Sequence, residues 1–202
     1  MIEEEKKIIS YATNEFLENG FYKTSMDQLA KGMQISKKTI YKFFPSKYSL
    51  LEIVLSTFQK KVKSELESIV DSDKNLVEKL KLVGEFFAKF SLKVNKKILS
   101  DFFNHQPELW KKVDDFRTSV IEDIWEKLIN QGKSEGLIID KSNKLLITII
   151  LSALRGVINP TFLMENNIST NEAFNETFAI ILNGILTEKG KKEFENQEWN
   201  RK

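Results

Sequence analysis

A run of basic and hydroxyl side chains occupies residues 35–47, which read ISKKTIYKFFPSK. The run contains four lysines and no acidic residue. As a short helix it has an apolar face made of Ile40, Phe43 and Phe44. Amino and hydroxyl groups fill the opposite face, and such groups donate hydrogen bonds to phosphate oxygens and base edges. That basic face consists of Lys37, Lys38, Thr39, Tyr41 and Lys42.

The residues around this run predict the helices that position it. A second helix is expected from Ser25 to Met33, with apolar residues repeating at helical spacing. Ser36 is placed to cap a third helix, which must end near Phe44 because Pro45 follows. Two short helices separated by two or three residues are typical of a helix-turn-helix. The second helix of such a unit lies in the major groove of DNA.

The basic charge is local. From Gly20 to Tyr48 there are six lysines and one acidic residue, Asp27, whereas the whole chain has a net charge of only +2. Nucleic acid would therefore be bound by one segment and not by a basic protein as a whole. We expect Lys37, Lys38 and Thr39 to contact base edges and the other basic-face side chains to contact phosphates.

Composition limits the remaining possibilities. The 202 residues are 41% hydrophobic and 30% charged, as in folded globular proteins, and the few prolines and glycines lie between periodic segments. This pattern predicts an all-α protein. There is no cysteine and only one histidine, so we expect no enzyme activity, no cofactor and no metal site. We expect neither a signal peptide nor a membrane span, which is consistent with the cytoplasm.

The stretch TSMDQLAKGMQISKKTIYKFFPSKYSLL, from Thr24 to Leu51, resembles the DNA-binding segment of the TetR family of bacterial transcriptional regulators. The similarity includes the Thr-Ser start, the Leu-Ala pair, the Ile-Ser cap and the Ser-Lys pair after the proline. Two residues depart from the family pattern. Gln34 stands where the turn usually has glycine, and Lys38 where a small residue is common. Gln34 must then adopt a backbone conformation that favours glycine.

The resemblance implies a double-stranded DNA operator as the partner. It assigns Thr24, Lys37, Thr39, Tyr41 and Lys47 to DNA. With Lys38 and Lys42 of the basic face, the predicted DNA-binding set has these seven members. It also implies an all-α protein with a helix-turn-helix DNA-binding domain at 1–47 and a larger helical domain for ligand binding and dimerisation at 48–202.

Two segments of the larger domain are too apolar for ordinary surface helices. From Leu145 to Met164 the only charge is Arg155, and the next helix carries an apolar stripe that includes Phe178 and Ile181. In the family that the chain resembles, this helix pair meets its twofold copy in a four-helix bundle. We therefore expect a homodimer with Phe178 and Ile181 in the interface. Burial inside a single subunit is the alternative explanation.

Aromatic residues are concentrated between these parts, and doubled rings point in different directions. Because an apolar cavity with a few polar groups is the usual small-molecule site, we expect a small apolar or aromatic effector. The predicted effector-binding residues are Phe58, Phe87, Phe90, Phe103, His105, Trp110, Phe116 and Trp125.

The C-terminal tail from Glu188 onward is polar and is expected to be frayed, and it contains Trp199.

Three hypotheses follow. The first is a dimeric regulator, a repressor that a small apolar molecule releases from DNA. The second is a helical enzyme or carrier whose basic helix serves an anionic substrate. The third is a DNA-binding module that takes no ligand. A salt-dependent, sequence-specific DNA complex would separate the first and third from the second, and a response to ligand would separate the first from the third.

Overall fold

The computed structural model describes residues 3–93 and 96–196. Apart from one isolated antiparallel bridge between Ile138 and Leu186, the regular structure in this part of the chain is helical, so the all-α prediction is confirmed. No helix within the described ranges is long and apolar enough to cross a membrane. The helices are α1 Glu3–Asn19, α2 Met26–Met33, α3 Lys37–Phe43, α4 Lys47–Val70, α5 Leu76–Lys93, α6 Lys96–His105, α7 Pro107–Ser134, α8 Asn143–Val157, α9 Pro160–Glu165, α10 Thr170–Ile185 and α11 Glu188–Asn196.

The helices form two compact units. The N-terminal unit comprises residues 3–62 and 96–113, and the C-terminal unit comprises residues 63–93 and 114–196. Helices α4 and α7 contribute residues to both units. The N-terminal unit contains the predicted helix-turn-helix and also α6, which sequence reasoning did not associate with it. The boundary expected at residues 47 and 48 stays a prediction.

The core of the N-terminal unit is built from one apolar face of each early helix. In α1 the buried residues repeat at helical spacing, and Gly20, with a φ of 81°, follows the last turn. Helix α2 packs against both α1 and α3. Leu109 of α7 joins the same core and is fully buried. The other core residues are Ile8, Ile9, Ala12, Phe16, Phe21, Met26, Leu29, Ala30, Ile40, Phe44, Leu50, Leu51, Val54 and Leu55.

Serine hydroxyls fix the starts of three successive helices. Ser25 accepts a hydrogen bond from the backbone N–H of Gln28, whose side chain accepts one from the Ser25 N–H at 2.7 Å. This capping box satisfies two backbone donors that the helix leaves free. Ser36 accepts from the N–H of Thr39 at 3.0 Å, and Ser46 does the same for the N–H of Ser49 at 2.9 Å. The starts of α2, α3 and α4 are therefore determined by local sequence.

In the C-terminal unit, α10 packs on α5 and α8, and α11 packs on α5. Phe178 and Ile181 of α10 are buried by their own chain. The apolar stripe predicted at a dimer interface therefore belongs to this core. One expectation was wrong: the polar tail that was expected to be frayed from Glu188 onward forms α11, which continues to Asn196.

Gln34 adopts the conformation expected for it in the turn between α2 and α3. Its φ of 56° and ψ of 37° lie in the left-handed region. Its backbone N–H donates to the carbonyl of Lys31 at 3.1 Å, and the N–H of Ile35 donates to Ala30 at 3.0 Å. These bonds close the end of α2. A glutamine side chain in this conformation is strained, since its Cβ approaches the following carbonyl oxygen.

Replacing Gln34 with glycine should therefore stabilise the protein. We expect the free energy of unfolding to rise by about 0.5–1 kcal/mol, because relief of the left-handed strain exceeds the entropy that glycine adds to the unfolded chain. The matched control is Lys31→Gly at an exposed position inside α2, which should lower stability by about 1 kcal/mol. Urea denaturation measures both changes. A loss of stability in Gln34→Gly would contradict the prediction.

Candidate nucleic-acid interface and effector region

Helix α3 is held by one side and exposes the other. Ile40 has no exposed surface and Phe44, just after the helix, is 2% exposed. With the apolar side fixed in the core, Lys38, Tyr41 and Lys42 lie exposed on the opposite side. This is the segregation that the sequence predicted. An exposed row of ammonium and phenol groups on a rigidly held helix can bind phosphates and reach base edges.

Lys37, at the start of α3, is already paired. Its Nζ lies 2.8 Å from Oδ2 of Asp27 on α2, and both side chains are well exposed. The hydrogen bond to Asp27 raises the pKa of Lys37. The Lys37 ammonium also lies 6.0 Å from the centre of the Tyr41 ring. Any DNA acceptor, whether the base edge expected for Lys37 or a phosphate, must therefore compete with Asp27 for this ammonium. Sequence reasoning did not foresee this restraint.

Two of the predicted hydroxyl contacts are engaged locally. The hydroxyls of Thr39 and Ser36 are 2.8 Å apart, and Thr39 is half-buried. Thr24 is buried, and its hydroxyl donates to the carbonyl of Gly20 at 2.8 Å. In the free protein Thr24 therefore closes the connection between α1 and α2. Its assignment to DNA stays a prediction.

Lys47 at the start of α4 is anchored to the same connection. Its Nζ lies 4.2 Å above the centre of the Phe21 ring and donates to the carbonyl of Tyr22 at 3.3 Å. Burial lowers the pKa of Lys47, against the opposing effect of the negative charge of Asp101. The half-buried ammonium of Lys47 therefore positions the connection between α1 and α2. A contact with phosphate would be an additional role for Lys47.

Tyr22 is also held from α6. Its backbone N–H donates to Oδ2 of Asp101 at 3.1 Å, and the His105 ring lies 4.3 Å from the Tyr22 ring. The Tyr22 side chain remains 63% exposed. Sequence reasoning missed this arrangement and placed His105 in an effector site. No local signal could have revealed it, because Tyr22 and Asp101 are 79 residues apart.

The eight predicted effector residues are divided between the two units. The His105 ring lies against Tyr22 at an interplanar angle of 55°, and Phe103 packs edge-to-face on Trp110 with ring centres 5.6 Å apart. Phe116 is half-buried. Trp199 lies outside the described residues. Phe58, Phe103, His105 and Trp110 fall in the N-terminal unit, and Phe87, Phe90, Phe116 and Trp125 in the C-terminal unit.

A continuous row of aromatic rings runs through the C-terminal unit. Phe90 lies 6.1 Å from Phe87, and Phe87 lies 5.0 Å from Phe174. Phe174 stacks on Phe178 at 5.5 Å, and Phe178 lies 6.3 Å from Trp125. The sequence predicted three of these five rings as an effector site and treated Phe174 and Phe178 separately. The row brings α5, α7 and α10 together through aromatic contacts.

The match to known families covers the region just described. Residues 8–54 match the family described as "Bacterial regulatory proteins, tetR family". These residues include α2, the turn at Gln34, α3 and the start of α4. This segment of the chain therefore belongs to the TetR family of transcriptional regulators.

Known transcriptional regulators are similar to this chain in sequence or fold over most of its length. The HTH-type transcriptional regulator YvaF of Bacillus subtilis is 23% identical over 189 residues, which cover 92% of this chain and 97% of YvaF. A transcriptional regulator from Saccharomonospora viridis in complex with choline has a TM-score of 0.71 at 16% identity, covering 91% and 98% of the two chains. The ketosteroid regulator KstR2 of Mycobacterium tuberculosis has a TM-score of 0.58 at 22% identity, covering 93% and 97%.

These proteins are transcriptional regulators and not enzymes, and the regulator described here has the same arrangement of a helix-turn-helix domain and a larger helical domain. Among its described residues, no group of three histidine or carboxylate side chains is arranged to hold a metal ion.

The ion pair between Asp27 and Lys37 should weaken the binding of DNA by the basic face, and this effect can be measured. Asp27→Asn should tighten binding to every duplex, and releasing Lys37 to a phosphate should steepen the salt dependence of log K by about 0.9. Titrations of operator and unrelated DNA at several salt concentrations measure both effects.

The control for this test is Asp27→Asn made in a Lys37→Ala background. It should change the salt slope little, because no ammonium remains to be released. An unchanged slope in the Asp27→Asn single variant would show that Lys37 does not reach phosphate even when it is free.

Proposed function

We propose that this regulator is a homodimeric repressor that binds a double-stranded DNA operator and is released from it by a small apolar molecule. The observation that carries the proposal is the exposed basic side of α3, held in place by the burial of Ile40 and Phe44. A helix presented in this way fits the major groove. The proposed DNA contacts are Thr24, Lys37, Lys38, Thr39, Tyr41, Lys42 and Lys47.

These contacts divide by task. Lys38 and Lys42 are exposed amines near the start and end of α3, and Tyr41 lies between them on the same side. Lys38 is near the helix N-terminus, from which recognition helices contact base edges, so it is the residue we assign to sequence discrimination. Lys42 and Tyr41 are assigned to phosphates. Phosphate contacts set register and orientation but carry no sequence information.

Apolar side chains exposed on α8 and α10 support the homodimer. Leu145 and Ile149 on α8 are each 53% exposed, and Ile180 on α10 is 71% exposed. Helices α8 and α10 pack against each other, so these side chains belong to one pair of neighbouring helices. Gly156 and Gly184 have open space where a side chain would be, which would let a second copy approach the backbone closely. A twofold dimer would present two α3 helices to two half-sites.

The aromatic row of the C-terminal unit supports an apolar effector. Rings of Phe87, Phe174, Phe178 and Trp125 offer the kind of surface on which apolar ligands bind. KstR2 is named for ketosteroids, and the regulator from Saccharomonospora viridis was solved with choline. We propose a ring-bearing or long-chain molecule as the effector. The other predicted effector residues keep that assignment as part of this proposal.

Control would act through α4, which contributes residues to both units as one continuous helix. An effector must favour the state that cannot bind DNA by its own difference in affinity for the two states. A coupling free energy of about 1–3 kcal/mol would weaken operator binding roughly 5–150-fold. Operator DNA must then weaken effector binding by the same factor.

The dimer is tested by charging its proposed face. Ile149→Glu and Ile180→Glu should give folded monomers that lose tight operator binding, because each α3 then meets half a site alone. Sedimentation at micromolar concentration measures assembly. Leu92→Glu is the matched control, since Leu92 on α5 is 72% exposed and should not affect the dimer. Phe178→Glu is unsuitable because that side chain is buried. Wild-type monomers at this concentration would refute the dimer.

Operator binding and release are tested together. Selection of bound fragments from random duplex DNA should yield a sequence with two half-sites, and a screen of apolar small molecules should find one that weakens the complex. That molecule should change tryptophan fluorescence in the wild type and in Trp199→Phe but less in Trp125→Phe. A specific DNA complex that no molecule in the screen releases would favour the ligand-independent module. Failure to select any sequence would refute the DNA-binding assignment.

A further inference from the structure

Two arginines converge on one carboxylate in the C-terminal unit. Arg155 on α8 directs Nη2 to Oδ2 of Asp114 at 2.8 Å and Nε to Oδ1 at 3.3 Å. Arg117 on α7 donates to Oδ1 of the same carboxylate through Nη2. The chain has 28 lysines and three arginines, and the third, Arg201, lies outside the described residues. Both arginines of the described residues thus lie at this carboxylate, whereas the other basic side chains of the chain are nearly all lysines.

The cluster carries more positive charge than its carboxylate balances. Partial burial raises the pKa of Asp114, but hydrogen bonds and charges from Arg117 and Arg155 outweigh this and hold the pKa below its usual value. Asp114 is therefore ionised at neutral pH and contributes one negative charge. The two guanidinium groups contribute two positive charges. One further monoanion would make the cluster neutral.

Donor groups remain after these bonds are made. Nη1 of Arg117 donates to the carbonyl of Ile158 at 3.2 Å, but its Nε is buried and has no acceptor among the described residues. Arg155 uses Nη2 for the hydroxyl of Thr118 at 2.6 Å as well as for Asp114. Its side chain is 42% exposed, and these bonds do not involve its Nη1. A buried charged donor without an acceptor is unfavourable, so one further oxygen acceptor would stabilise the cluster.

We propose that Arg117 and Arg155 bind a carboxylate or phosphate group of a small molecule. The planar guanidinium fork matches both of these groups and binds them through two parallel hydrogen bonds, which lysine cannot do. The exposed edge of Arg155 is the entrance, and the anion shares or replaces the bonds made by Asp114. The proposal rests on the proposed effector function and gives the effector an acidic end in addition to its apolar body.

The competing explanation is a clamp that only joins α7 to α8. The two differ in their response to anions, which is measured without DNA. Thermal unfolding is followed in about 10 mM sodium phosphate, in sodium acetate and in sodium chloride of equal ionic strength. If the dissociation constant is a tenth of the anion concentration, the unfolding temperature should rise by about 3 °C over the chloride value.

Variants assign the shift to the cluster. Arg117→Gln and Arg155→Gln should lose it, and Arg155→Lys, which keeps the charge without the fork, should lose most of it. Lys38→Ala, which removes a cation from the basic face of α3, should keep the full shift. Circular dichroism identifies any variant that does not fold. If a glutamine variant does not fold, the loss of the shift is judged from Arg155→Lys.

Two results would overturn the anion site. One is that neither phosphate nor acetate stabilises the wild type beyond chloride. The other is that the folded Arg117 and Arg155 variants keep the full shift. If the anion site fails while an apolar molecule still releases the operator, the proposed effector function stands and the cluster is a clamp. If anions bind but no molecule affects DNA binding, the site stands and the effector function fails.

Discussion

Burial of Ile40 and Phe44 beneath α3 is the interaction on which the DNA face depends. A helix of seven residues is not stable alone in water, since its nucleus is costly and few hydrogen bonds follow it. Each large side chain buried against α1 and α2 contributes about 1.5–3 kcal/mol. The cap at Ser36 adds about 1 kcal/mol and fixes the residue at which the helix begins. The register of every basic side chain on the opposite face follows from these contacts.

The helix-turn-helix was predictable because its determinants are local. Ser25, Ser36 and Ser46 act within three residues of their partners, and Gln34 adopts the conformation that the turn requires whatever surrounds it. The site was only partly predictable. Sequence spacing placed Lys38 and Lys42 on the basic face, but it gave no indication that Asp27 would occupy Lys37, since that contact depends on how two helices pack.

The C-terminal unit shows the limit of pattern reading more strongly. An apolar stripe indicates that one face of a helix is buried, but it does not indicate whether the same chain or a second copy buries it. Phe178 is covered by its own chain, whereas Ile180, two residues later, is exposed. The aromatic row was divided between two hypotheses because its members come from helices far apart in sequence. No sequence pattern indicated that Arg117 and Arg155 lie close together. The fold shows that both contact Asp114.

The N-terminal unit is discontinuous in sequence, and this affects its synthesis. Leu109 completes the core that begins at Ile8, and Asp101 holds the loop at Tyr22. The ribosome must therefore release more than half of the chain before Leu109 can join this core. The intervening residues 63–93 belong to the other unit, and bringing together the segments on either side of them costs loop-closure entropy. The first helices to emerge therefore lack the contacts of Leu109 and Asp101 until the later segment is made. Incompletely covered apolar surface of this kind is what makes partly folded chains prone to aggregation.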